Sequence, residues 1–188
     1  MQNQKTMTSK LNIKELKRGI RNNNPGNLIR TPNKWVGKIP YAESKDDKFE
    51  QFSSLEYGVR AMLLDLINDI NKGKNTIRKL ISEYAPAFEN NTMAYINSVA
   101  SSLNVTPDFP LKVINSDLLL LLAKAIIKVE NGTDAKHVTD DIIKKAISLV
   151  GNKTLSNVEI KNTVKSGSFP YVLELAVFFY SVATIFLL

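Results

Sequence analysis

One segment limits every fold open to this chain. Leu118 to Leu122 run without a polar break, and Ala123, Ala125, Ile126, Ile127 and Val129 follow before Glu130. Asn115-Ser116 offers a cap at one end and Asn131-Gly132 a stop at the other, so the pattern predicts a helix over 117–130. That helix is apolar on nearly every side. A surface helix keeps a wide polar face, so this one belongs in the middle of a domain with other elements packed around it.

The neighbours it needs are also helical. Leu55, Val59, Met62, Leu63, Leu66, Ile67 and Ile70 recur at three- and four-residue spacing from Ser54 until Gly73. Thr76 to Tyr84 reads as a second helix. Asn91 or Thr92 caps a third that carries Tyr95, Ile96, Val99 and Leu103 before Pro107 and Pro110 interrupt. Thr139 to Val150 gives a fifth, with Ile142, Ile143, Ala146, Ile147 and Val150 as its apolar stripe. Upstream, residues 19–52 are rich in Asn, Gly and Pro and read as turns with a short hairpin. The expected organisation is a basic tail over 1–18, one mainly α domain with a small loop and hairpin lobe over 19–150, and a polar linker over 151–168.

Phe169 to Leu188 is an apolar run broken only by Glu174, and about 20 residues cross a bilayer's hydrocarbon core as a helix. This predicts a transmembrane anchor over 169–188; the competing reading is a buried terminal helix. Met1 to Lys17 lack the apolar centre of an export signal. At 188 residues the chain suits one core. A hydrophobic share of 44% against 23% charged excludes general disorder and a multi-span membrane protein.

The net charge of +7 favours polyanionic partners: nucleic acid, anionic lipid or bacterial wall polymers. No basic-aromatic module accompanies it, so a specific nucleic-acid partner is not expected. With no cysteine and the single histidine His137, thiol chemistry and a multi-histidine metal site are excluded, and neither metal nor cofactor is expected.

Glu130 is the carboxylate that composition and position single out, since it ends the apolar helix. Apolar surroundings and the negative end of the helix dipole both disfavour its charged form. A carboxylic acid held protonated is what glycosidic cleavage needs as general acid. The competing reading is a solvated last-turn residue beside Lys128.

Three stretches bear on that choice. Leu121 to Gly132 resembles the catalytic helix of soluble lytic transglycosylases and related lysozymes, in which an apolar helix ends in the acid glutamate. Tyr84-Ala85-Pro86 with 89–99 is similar to the Glu-Thr and Tyr-Val segment of transglycosylases. That resemblance makes Tyr95 a partner of the acid and places Glu89 and Thr92 at a helix start or substrate groove. Arg18 to Leu28, then Trp35-Val36-Gly37, Phe49, Phe52 and Tyr57 to Ala61, resemble phage virion-associated lytic proteins and, in motif order, flagellar-type glucosaminidases.

In the glucosaminidases this last stretch follows the catalytic helix, whereas here it precedes it. The order implies a circularly permuted lysozyme-like domain. Keeping the usual order would require an acid before Asn24, and Glu15 lies there among Lys14, Lys17 and Arg18. Asn24 and Asn27 carry amides suited to sugar hydroxyls and backbones suited to left-handed turns, and both roles stand open.

The resemblance implies a phage enzyme that degrades peptidoglycan by cutting its glycan strand. Its place would be a virion, associated with a viral membrane, or the host inner membrane, beside other virion proteins. A lytic transglycosylase works with one Glu, whereas hydrolysis calls for a second carboxylate. Glu43, Asp46 and Asp47 are the loop candidates for it. Two alternatives remain beside the transglycosylase: a hydrolytic muramidase or glucosaminidase, and a virion protein that binds wall glycan without cutting it.

Overall fold

The computed structural model describes residues 15–86, 91–151 and 159–161. Six α-helices make up about half of it: α1 (Arg18–Arg21), α2 (Leu55–Asn71), α3 (Ile77–Tyr84), α4 (Thr92–Ser102), α5 (Ser116–Asn131) and α6 (Asp140–Val150). A 3-10 turn over Gly132–His137 joins α5 to α6. The short strands β1 (Val113–Asn115) and β2 (Glu159–Lys161) pair in parallel, Val113 opposite Glu159. β2 falls within the stretch expected to be linker.

Helix starts follow the side chains able to satisfy free backbone donors. Thr76 accepts from the Lys79 amide, Asn91 from Ala94, Asn115 from Leu118 and Thr139 from Ile142. Asn91 is therefore the cap of α4. Thr92 begins the helix and donates its hydroxyl to the Ala85 carbonyl at 2.7 Å, tying α4 to the end of α3. α5 stops at Gly132, whose φ of +57° is a left-handed value that glycine adopts without penalty.

α5 touches α1, α2, α4, α6 and β1, and buries Leu118, Leu119, Leu122, Ala123, Ala125, Ile126 and Ile127. It is central without being enclosed: Lys124 and Lys128 are exposed along one edge. α2 packs against α6 and supplies Val59, Met62, Leu63, Leu66, Ile67 and Ile70 to the same core.

The predicted transmembrane helix is corrected by the structure. Among the described residues no helix is long and apolar enough to cross a membrane. The longest, α2, has 17 residues and carries Glu56, Arg60, Asp65 and Asp69, against about 20 mostly apolar residues for a span. Residues 169–188 lie outside the described ones. The fold is a mainly α domain with a loop lobe and no supported membrane helix. The N-terminal boundary moves as well: Leu16 packs on the core, and the Lys17 amide donates to Asp134 Oδ2 at 2.7 Å, within the stretch expected as tail.

Residues 22–52 form the loop lobe, closed by antiparallel bridges Ile29 to Phe49 and Lys38 to Phe52. It sits flush on α2. A methyl group at Gly58 would lie 1.7 Å from the Asn23 carbonyl oxygen, which is fixed backbone. Gly58→Ala is therefore expected to push the lobe off α2 and to cost about 1–3 kcal/mol or more, since overpacking forces backbone to move. Urea unfolding reads this as a lower midpoint; an unchanged midpoint would mean that the lobe and helix are not in contact.

Candidate active site

Glu130 sits on the last turn of α5, where the helix meets both the loop lobe and α4. Its two oxygens are each engaged. Tyr95, buried on α4, donates its hydroxyl to Oε1 at 2.9 Å, and Asn27 donates from Nδ2 to Oε2 at 2.7 Å. Three residues singled out in the sequence thus meet at one carboxylate, although 103 positions separate Asn27 from Glu130.

Burial is the largest influence on this carboxyl and pushes its pKa above the usual range, while the bonds from Asn27 and Tyr95 act in the opposite direction. The raised value is the net result. The same setting pushes the Tyr95 phenol far upward, chiefly by burial and then by the charges of Tyr84 and Glu130, so Tyr95 stays a hydrogen-bond donor.

Asn27 holds its place through a turn that only certain residues can make. Asn23 and Asn27 have φ of 51° and 50°, left-handed values that asparagine tolerates better than most side chains. Asn24 is fully buried at 0% exposure. Its amide donates to the Leu28 and Glu50 carbonyls, both at 2.9 Å, and accepts from the Leu28 amide at 3.0 Å. Asn24 therefore anchors the turn from inside, and the Asn27 beside it reaches the carboxylate. Of the two amides with open roles, one has the structural part and the other faces the site.

Two residues absent from the candidate set reinforce this arrangement. Asn131, also at 0% exposure, donates to the Pro25 carbonyl at 2.7 Å and so bolts the turn to the end of α5. Tyr84 donates its hydroxyl in a short hydrogen bond to the Gly26 carbonyl, one residue before Asn27. Both act by fixing where Asn27 can be. Polar residues flanking a catalytic candidate in sequence, such as Asn131, were the available signal.

A cleft of about 760 Å³ opens over Glu130. Leu28, Ile29, Trp35 and Phe49 line the side belonging to the loop lobe, Asp65 and Asp69 come from α2, and Glu83, Tyr84 and Ala85 from the end of α3. Trp35 and Phe49 offer flat apolar faces, and Asn27, Asn33 and Thr31 offer polar groups. That mixture suits a sugar chain, which has apolar ring faces and a hydroxyl rim.

The loop carboxylates considered for a second catalytic role have other work or positions. Asp46 accepts from Asn22 at 2.8 Å and from the Lys48 and Phe49 amides, and lies 3.5 Å from Arg18. Burial works against its charge, but these donors hold its carboxyl below the usual range. Glu43 and Asp47 are exposed, and none of the three lines the cleft. Glu15 is exposed and away from it too. Glu89 lies outside the described residues.

Tyr95→Phe separates the two influences on Glu130. Removing the hydroxyl deletes a bond that favours the carboxylate, so the Glu130 pKa rises further. An activity that needs Glu130 protonated is then expected to persist to higher pH, its alkaline limb shifted upward. A limb unchanged in position in a pH-rate profile would detach Tyr95 from the acid.

Much of the chain has a counterpart in a phage protein. Over 137 residues, 71% of this chain, the sequence is 32% identical to Protein P5 of Pseudoalteromonas phage PM2 and spans 81% of that protein. No protein-family model matches the chain.

Proposed function

We propose, from the premise that the chain belongs to the family of Protein P5 of Pseudoalteromonas phage PM2, that it is a phage enzyme that cuts the glycan strand of bacterial peptidoglycan. Glu130 is its general acid. The observation that carries this reading is one half-buried carboxyl, raised in pKa by burial, gripped by Tyr95 and Asn27 on the floor of a cleft with aromatic and amide walls. Such a group gives a proton to the oxygen that leaves when a glycosidic bond breaks.

The resemblance of Leu121 to Gly132 to a lytic transglycosylase helix supports a route in which Glu130 works alone. The acid then turns base, and the sugar's own hydroxyl closes on the cation to leave an anhydro end. Hydrolysis is the second reading, favoured by a specific observation: Asp65 shares the cleft with Glu130. In either case the substrate is the wall glycan, and the basic balance of +7 suits the acidic polymers around it. A phage particle would carry such an enzyme to open the wall locally at entry or release, in company with other virion proteins.

Incubated with purified sacculi, the protein is expected to release soluble glycan fragments. A folded protein that pelleted with the sacculi and released nothing would instead be a wall-binding component.

A further inference from the structure

Among the described residues, one carboxylate in the cleft has no evident structural duty. Asp65 is on α2 between Leu64 and Leu66, both buried, and its own side chain is half-buried on the face that lines the cleft with Glu130. Asp69 follows one turn later on the same face, but it has a partner, Lys72 Nζ at 3.5 Å. Glu83, the third acid of the wall, is bound to Lys74 at 2.6 Å. Asp65 makes no hydrogen bond or ion pair with any described residue. A half-buried carboxylate left without a partner lowers stability, and such groups concentrate where chemistry needs them.

We infer that Asp65 is the second carboxylate of the Glu130 cleft, and that it takes a proton from an attacking water so that the glycan strand is hydrolysed. The inference rests on the proposed glycan-cleaving role of Glu130 and selects the hydrolytic ending of that reaction over the anhydro-forming one.

Tyr84 connects the two groups. Its ring lines the same cleft as both carboxylates, and its ionisation is opposed first by burial and then by the negative charges of Glu130 and Asp65. Burial also raises the Asp65 carboxyl, with Asp69 and Glu83 adding to it and Lys72 opposing, which makes it a better proton acceptor than an ordinary surface aspartate. The cleft, at about 760 Å³, has room for a sugar and a water between its walls. Paired carboxyls on two sides of a glycosidic bond are the arrangement that lets one protonate the leaving oxygen while the other activates water.

The step balances as follows. Glu130 gives its proton to the glycosidic oxygen, and the bond from that oxygen to the anomeric carbon breaks, its electron pair staying on oxygen. A water oxygen forms the new bond to the anomeric carbon, and its proton passes to Asp65. One water is consumed. The products are a free hydroxyl on one fragment and a hemiacetal end on the other, after which exchange with solvent returns a proton to Glu130 and removes one from Asp65.

The test compares wild type, Asp65→Asn and Glu130→Gln on purified peptidoglycan, with fragment ends read by mass spectrometry and folding by thermal unfolding. The inference expects hydrated reducing ends from the wild type and a rate lower by on the order of 10²-fold or more in Asp65→Asn. It also expects a Tm for Asp65→Asn at neutral pH no lower than that of wild type, because an unpaired half-buried charge has been removed. A purely structural aspartate would not give a slower and equally stable protein. Should the Asn variant not fold, Asp65→Ser takes its place.

Anhydro ends from the wild type, lighter by one water, overturn the inference. So does an Asp65 variant whose rate stays within about threefold of wild type while Glu130→Gln loses activity; in both of those cases the Glu130 reading survives. No fragments from folded wild type would remove the Glu130 reading, and this inference with it.

Discussion

Replacing Glu130 with glutamine is expected to lower glycan cleavage by about 10²–10⁴-fold, the range that a positioned general acid contributes. Glutamine keeps the shape and the acceptor for Asn27 Nδ2, and its amide can donate to the Tyr95 oxygen once that hydroxyl turns. What it cannot do is give up a proton. The same substitution is expected to stabilise the protein at neutral pH. The folded-state pKa of Glu130 lies above its ordinary value, so the native state binds this proton more tightly than the unfolded chain does. Its stabilising effect is complete below the unfolded pKa and is lost as pH rises through the folded one. Above that point the wild type holds an ionised, half-buried carboxylate that the glutamine variant lacks. Thermal unfolding across this window should show the two proteins diverging as pH rises, the variant the more stable. A variant less stable than wild type at neutral pH would mean that Glu130 is held as a structural anion rather than as a strained acid.

The largest stability effect is expected in the loop lobe. Glu50 has 0% side-chain exposure, and Lys38 Nζ meets its Oε1 at 2.9 Å; Tyr41 and the Thr31 amide approach the same oxygen. Lys38→Met would leave the carboxylate enclosed without its cation, a loss of about 3–5 kcal/mol for a buried pair broken on one side. For a domain of this size the Tm should fall by on the order of 10 °C. Adding Glu50→Gln to that variant removes the stranded charge and should recover part of the loss. Because the Glu50 carbonyl also holds Asn24, three residues before Asn27, cleavage should weaken along with stability. A Tm within a degree or two of wild type would show that water reaches Glu50.

The helical frame was legible because α5, α2 and α6 carry apolar residues at helical spacing, and α5 and α6 also begin at a capping side chain, all of which are local properties. Glu130 was legible for the same reason: an acid that ends an apolar helix is conspicuous. Tyr95 came from resemblance and Asn27 from side-chain chemistry, and their meeting at the two oxygens of Glu130 depends on folding across long separations that no local pattern encodes. Asn24 shows the limit from the other side. Its amide looked as fit for a sugar as that of Asn27, and only the path of the chain decides which of the two faces inward. Asp65 was hidden because α2 reads as a core helix; the i, i+4 pair Asp65 and Asp69 within Met62 to Ile70 was the overlooked signal. For residues 169–188 hydropathy reports only that the stretch is apolar, which does not by itself distinguish a membrane span from another apolar setting.

The measurement that bears most directly on the central claim is the identity of the bond that is broken. Purified peptidoglycan treated with the wild-type protein, its soluble fragments resolved by mass spectrometry, is predicted to yield disaccharide-peptides with new sugar termini and intact peptide stems. Fragments cut at amide or peptide bonds, or none from a folded protein, would contradict a glycan-cleaving site built on Glu130.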